Sequence, residues 1–527
     1  MLENTPSQRA EKPQTAQDSC PMALSPRRAL NRSPTLLHVR GNARLGSAAA
    51  VAVLLLLLVL GWIGFAKLGL KPSALIQWVR ERPVMDMVRY AERRLEGHPR
   101  LEAMTLPTLS ALRARLEREP PPVLQDLGKG QRSAGVGSAT FGSDGRPRAV
   151  SALPEPRRVP VPAHQLSSAV QIAEALEQAQ PGDVLEIQPG TYSISRTMTT
   201  RRAGTPARPI TLRARRPGEV TLLVDGTQAV VVSQPYWVFE NLDWRGVCKH
   251  DDDCEHAYHV VGRAQSTVIL NNRIADFNAQ IKVNGEQGRW PDHGLLQFST
   301  LINTRPRNTT NPVVPFDLVA ASGWQVLDNR IENFTKDDSR SPAYGVFMKG
   351  AGRDGRIERN LVICTPRGMS QPGLRIGLSL GNGGSDRRSC RDSLCESEHF
   401  DGLIANNVVA HCNDAGIDVS KAQGAVVVHN TLINTQGVLV RNPPSNAMVD
   451  RNLLDDRVRA RQGTYLEVGE NLRASSLTQW LQDPDALDLR WREIPPTQPA
   501  HQAAPLDFCG KRRPTASPPG ATVAARC

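Results

Sequence analysis

Aromatic residues are scarce, at 5% of 527 residues, whereas Gly (41) and Pro (40) are plentiful. So few large rings and so many turn formers suit a solenoid better than a helical bundle. Acidic residues are outnumbered, 52 Asp and Glu against 64 Lys and Arg, for a net charge of +12 and a pI near 9.5. That balance favours polyanionic partners: nucleic acid, anionic lipid or acidic glycan. Zinc-finger, homeodomain and RNA-recognition signatures are missing, so nucleic acid is set aside.

Charge is absent altogether from Leu45 to Ala66 (LGSAAAVAVLLLLLVLGWIGFA). At about 1.5 Å per residue this stretch can cross a hydrocarbon core of roughly 30 Å. A cleaved signal peptide would lie nearer the N-terminus and have a shorter apolar region, so an uncleaved single-span anchor is expected. Basic residues flank both sides, and the positive-inside rule barely discriminates. Cysteine usage helps: Cys20 precedes the span and the other eight follow it. An even set beyond the membrane suits disulfides in an oxidising compartment, with Cys248/Cys254 and Cys390/Cys395 as candidate pairs. The main body is therefore expected outside the cytoplasm, periplasmic or extracellular.

The organisation expected is a disordered basic tail (1–44), a transmembrane helix (45–66), membrane-proximal helices (67–118), and a Pro/Gly/Arg-rich linker (119–163). A β-solenoid (164–460) and a partly disordered C-terminal extension (461–527) complete it. Residues SSAVQIAEALEQAQPGD read as an amphipathic helix stopped by Pro181-Gly182, suited to capping the open end of a stack. Beyond it, short β-branched strands recur, broken by Gly, Pro and Asn. VILNNRIADF, WQVLDNRIENF, GRIERNLVIC, GLIANNVVAHC, AVVVHNTLINT and AMVDRNLLDD share one core: apolar, Asn, apolar. The aligned residues are Asn272, Asn329, Asn360, Asn407, Asn430 and Asn452. The last steps are 23 (407 to 430) and 22 (430 to 452), and earlier ones carry insertions. A repeat in the low twenties holds three short strands and three turns, with coils stacked about 4.8 Å apart. Stacked Asn side chains can hydrogen-bond along the axis and tolerate left-handed backbone. Leucine-rich and helical repeats are excluded by spacing and by β-branching. The fold class expected is all-β, a right-handed parallel β-helix.

The cap helix followed by PGDVLEIQPGTY resembles the start of chondroitinase-B-like and alginate-lyase-like polysaccharide lyases, over roughly residues 164–460. This solenoid also hosts hydrolases, epimerases and non-catalytic adhesins. In the lyases, a Lys ends one strand and an Arg follows about one coil later, after an N…C…G stretch. Here Lys349 precedes Asn360, Cys364, Gly368 and Arg375, a step of 26 (349 to 375). The resemblance implies Lys349 as base and Arg375 as acid or charge stabiliser. It also implies a calcium ion, for which Asp317, Asn284 and Glu286 are the nearest ligand candidates. Asp317 stands alone where the family has paired acidic residues. Asp418 in GIDVSKA and Arg441 in GVLVRNP lie on similar strands and are candidates to line the same substrate groove.

Other motifs weigh less. GLSLG matches a nucleophile elbow, but that motif needs an α/β sheet, so Ser379 reads as a strand residue. The loops with Cys248, Cys254, His256 and His259, and with Cys390, Cys395 and His399, have loose zinc-like spacing; disulfide staples suit them better. Cys364 and Cys412 follow their Asn at similar offsets and suit a buried thiol pair or a bridge. Three functions compete: an enzyme of polysaccharide-lyase type acting on an acidic polysaccharide, a non-catalytic glycan-binding or structural envelope protein, and a glycoside hydrolase. The last needs two carboxylates on neighbouring coils, whereas Asp317 and Asp418 are several repeats apart.

Overall fold

The computed structural model describes residues 163–336, 342–365, 373–381, 385–461, 463–474 and 476–523, with Met104, Thr105, Thr108 and 142–143. The expected tail, membrane helix and nearly all of the membrane-proximal and linker segments lie outside the described residues. Among the described residues, no helix is long and apolar enough to cross a membrane.

Among the described residues from His164 onward the chain is all-β apart from one α-helix and three short 3-10 turns. Three long sheets of twelve, eleven and ten strands run side by side, and every neighbouring pair in them is parallel. Each coil visits the first, second and third sheet in turn. Trp237–Glu240, Asp243–Gly246 and His256–Val261 make one coil, and Val268–Leu270, Arg273–Ala275 and Ile281–Asn284 the next. This is a parallel β-helix, consistent with the right-handed winding expected. Its interior is a continuous column of Val, Ile and Leu with Trp237, Trp244 and Trp324.

From Trp237 to Leu454 the corner between the first and second sheets is a two-residue turn. Its first residue takes positive φ: Asn271 (55°), Asp328 (57°), Arg359 (54°), Asn406 (59°), His429 (54°) and Arg451 (56°). Its second residue is the repeating Asn, and that side chain does the bonding. Oδ1 of Asn360, Asn407, Asn430 and Asn452 accepts from the backbone N–H of the equivalent Asn one coil earlier, at 2.8–3.0 Å. Each Nδ2 donates to a carbonyl of the coil below. Ser299 fills the one gap in the run and Asn471 extends it. The left-handed strain expected of the Asn thus falls on its predecessor, and the Asn is buried as a hydrogen-bonding spacer.

The helix α1 (Ala169–Gln178) starts at Ser168, whose Oγ accepts from the Gln171 N–H, and buries Ile172, Ala173 and Leu176 over the first coil. At the other end the coils run past residue 460, through Tyr465–Val468 and Leu472–Arg473. The segment that follows folds back along the solenoid. Leu477, Leu481, Leu489 and Phe508 pack on outward apolar residues of the second sheet, among them Leu361, Val408 and Ile433. Ala504 does the same on Leu403 and Val428 of the first sheet. The outward residues of the third sheet include the charged Lys282, Asp317, Lys349, Asp418 and Arg441 and an apolar cluster of Tyr344, Phe347, Ile376 and Leu439.

Candidate functional site

Parallel register sets the site. His259, Lys282, Asp317, Phe347, Ser379 and Asp418 occupy one column, each paired with the next across successive coils of the third sheet. Stacked coils lie about 4.8 Å apart, so these side chains adjoin despite separations of 23 to 39 residues. A second column holds Asn284, Val319 and Lys349.

Asp317 is the centre. Its Oδ2 lies 2.5 Å from Lys282 Nζ and its Oδ1 lies 3.4 Å from Lys349 Nζ. The carboxylate is buried while the two lysines are partly exposed, at 23% and 21% of their side chains. Burial alone would raise the Asp317 carboxyl, but the two ammonium groups outweigh it and hold it below the usual carboxylate range. The Lys349 ammonium also lies 4.0 Å from the Phe347 ring centroid. Beside Lys282, the His259 ring sits between two amides, Nδ1 3.0 Å from Gln228 Oε1 and Nε2 2.6 Å from Asn284 Oδ1. Burial, with Lys282 adding to it, keeps the imidazole below its ordinary pKa, so it is neutral at neutral pH. A neutral imidazole has one N–H, so one amide oxygen accepts it while the other amide presents its NH2 to the second nitrogen, which can take a proton only once that amide turns away.

Three coils along, Arg441 meets both oxygens of the fully buried Asp418 at 3.0 Å, and Ser379 Oγ lies 3.5 Å away. Burial pushes the Asp418 carboxyl up to about 6 against the pull of Arg441. Ser379 is a strand residue whose hydroxyl donates to the Gly381 carbonyl, as expected for a strand rather than an elbow.

The sequence candidates therefore divide. Asp317 and Lys349 meet, and Asp418 and Arg441 meet one another. Arg375 does not join Lys349. It is paired with Ala343, the first residue of the seven-residue strand Ala343–Lys349 that Lys349 ends. At about 3.3 Å per residue that places them roughly 20 Å apart along the sheet. Arg375 is buried and donates to the Gly373 carbonyl. The calcium ligands do not gather either. Asn284 is engaged by His259, Glu286 lies beyond the strand in a turn bridged to Arg289, and Asp317 is ringed by lysines. Among the described residues, no three His, Cys, Asp or Glu converge as a metal site. Asp317 and Asp418 are three coils apart, about 14 Å, too far for paired glycosidase carboxylates, which need roughly 5–9.5 Å. Sequence reasoning missed Lys282 and passed over His259 as a base. The alternation of HAYHVV, IKVN and FDLV gives each one an outward side chain, and aligning those strands would have found both.

The cysteine loops close as disulfides: Cys248–Cys254 and Cys390–Cys395 staple loops, and Cys364–Cys412 links adjacent coils with Cα atoms 5.0 Å apart. The zinc alternative is thereby set aside.

A three-sheet parallel solenoid places this chain among the parallel β-helix proteins. Residues 166–288 match the family model described as Chondroitinase B, and the chain resembles the polysaccharide lyases. Similar solved structures include the pectate lyase Pel9A, at 14% identity and TM-score 0.42, covering 67% of this chain and 90% of that one. A PL6 family polysaccharide lyase from Pseudopedobacter saltans covers 63% and 96%, at 14% identity and TM-score 0.35. An alginate lyase from Paenibacillus sp. covers 58% and 98%, at 13% identity and TM-score 0.31. No curated protein matches the chain.

Proposed function

We propose that this chain is a membrane-anchored, extracytoplasmic β-helix protein that binds an acidic polysaccharide along its third sheet and cleaves it by β-elimination. The observation carrying this reading is the gathering of Lys282 and Lys349 about buried Asp317, with neutral His259 beside Lys282, on the outward side of the third sheet. The Chondroitinase B match over residues 166–288 supports the reaction class. The uncharged stretch 45–66 supports the anchor, and the disulfides support an oxidising compartment.

In β-elimination a base removes the proton at C5 of a uronate, the C4–O bond breaks, a C4=C5 double bond forms, and the leaving oxygen takes up a proton. The carboxylate must be neutralised for C5–H to become acidic. His259 supplies an unprotonated base at neutral pH, and the lysines supply positive charge. Lys349, expected as the base, instead makes the contacts of a cation, to Asp317 and to the Phe347 ring.

The test is ultraviolet absorbance of unsaturated uronate products after incubating the full chain with alginate, polygalacturonate or glycosaminoglycans. Product from at least one acidic polymer is expected. Binding without any product would leave a non-catalytic glycan-binding protein, and neither binding nor product would end the reading.

A further inference from the structure

Calcium is what the lyase resemblance asks for, and the residues near Asp317 do not suit it. A calcium ion takes six to eight oxygen ligands. Asp317 offers both of its oxygens to ammonium groups, and the other two candidate ligands are elsewhere engaged or out of the strand. A dication added here would face two cations within reach of the same carboxylate.

We propose that Lys282 and Lys349, clamped by Asp317, form a metal-free cradle for the carboxylate of the uronate to be cleaved. This rests on the acidic-polysaccharide reading above and deepens it. Two ammonium groups and one carboxylate sum to a charge of +1, so one incoming carboxylate makes the group neutral. Each ammonium has three donors. The contacts to Asp317 leave donors on each lysine, and both side chains retain about a fifth of their surface for a ligand. Asp317, being buried, anchors the heads from beneath instead of competing at the surface. The Phe347 ring beside Lys349 further limits where that head can go. His259 adjoins Lys282 in the same column, so a carboxylate held by the lysines brings the neighbouring C5–H toward the imidazole.

The experiment uses the full chain in detergent, with oligosaccharides of alginate, polygalacturonate and chondroitin and the carboxyl-reduced form of each. Binding is measured by calorimetry in EDTA and again in added calcium. The expected result is equal affinity in EDTA and in calcium, loss of binding on carboxyl reduction, and a loss of roughly tenfold or more in Lys282→Met or Lys349→Met. Lys282→Arg should restore much of the affinity. Binding that appears only with calcium would overturn the cradle while leaving the polysaccharide reading intact. Calcium-free binding unchanged by both lysine variants would also overturn it. No binding of any acidic oligosaccharide would remove the reading beneath it as well. The EDTA and carboxyl-reduction arms use the unaltered protein, so a variant that fails to fold does not block the decision.

Discussion

His259 and Asp418 show how burial sets protonation on one face in opposite directions. Burial lowers His259, with Lys282 adding to it, so its base form survives as pH falls through 6.5. The acid limb of kcat/KM should therefore lie below the ordinary histidine range, and His259→Ala should lower kcat by roughly 100-fold or more. An acid limb at or above pH 6.5 in the parent would rule His259 out as the base. Burial raises Asp418 from 3.8 to about 6. Between those values the folded protein holds a proton that the unfolded chain has released, so this group's contribution to stability is full below about pH 4 and is lost as pH rises through 6. Buried His256 and His399, both lowered to about 4, act with the opposite sign as they are forced to protonate. The difference in unfolding free energy between Asp418→Asn and its parent isolates the carboxyl: it should change across pH 4–6, and a difference flat in pH would contradict the assignment.

Among the elements, the asparagine corner was legible from the chain alone, because buried Asn at a repeating offset has few other uses. Which residue bears the left-handed backbone was not, since Asn is itself a common occupant of that conformation. Asn407 donates to two coils' acceptors and accepts from Asn360. Asn407→Ala should therefore cost about 1–3 kcal/mol in chemical denaturation through the donors and acceptors left unsatisfied; a loss indistinguishable from that of an exposed Asn→Ala would refute the ladder's role. The Lys349-to-Arg375 step counted coils correctly and still misled. Spacing reports how many coils separate two residues, not where each sits along its strand. The long stretches between strands, 35 residues from Lys282 to Asp317, hid the column that register makes plain.

At the scale of the molecule, the C-terminal segment covers apolar rows that the first and second sheets would otherwise expose. Its composition, rich in Pro, Arg and Ala, gave no periodic signal, so it reads as an extension until its packing is seen. A chain ending at Arg473 should expose Leu361, Val408 and Ile433 and self-associate; size-exclusion chromatography that finds it monomeric and as stable as the parent would show the covering to be dispensable.

From Trp237 to Leu454 the corner between the first and second sheets is held to two residues from coil to coil, while the corners on either side of the third sheet differ widely in length. One edge of the stack thus keeps these coils in phase, and the other two are free to lengthen. The floor of the cationic face and the walls beside it can then diverge separately: a new loop could reshape what the face admits without disturbing the column of charges beneath it.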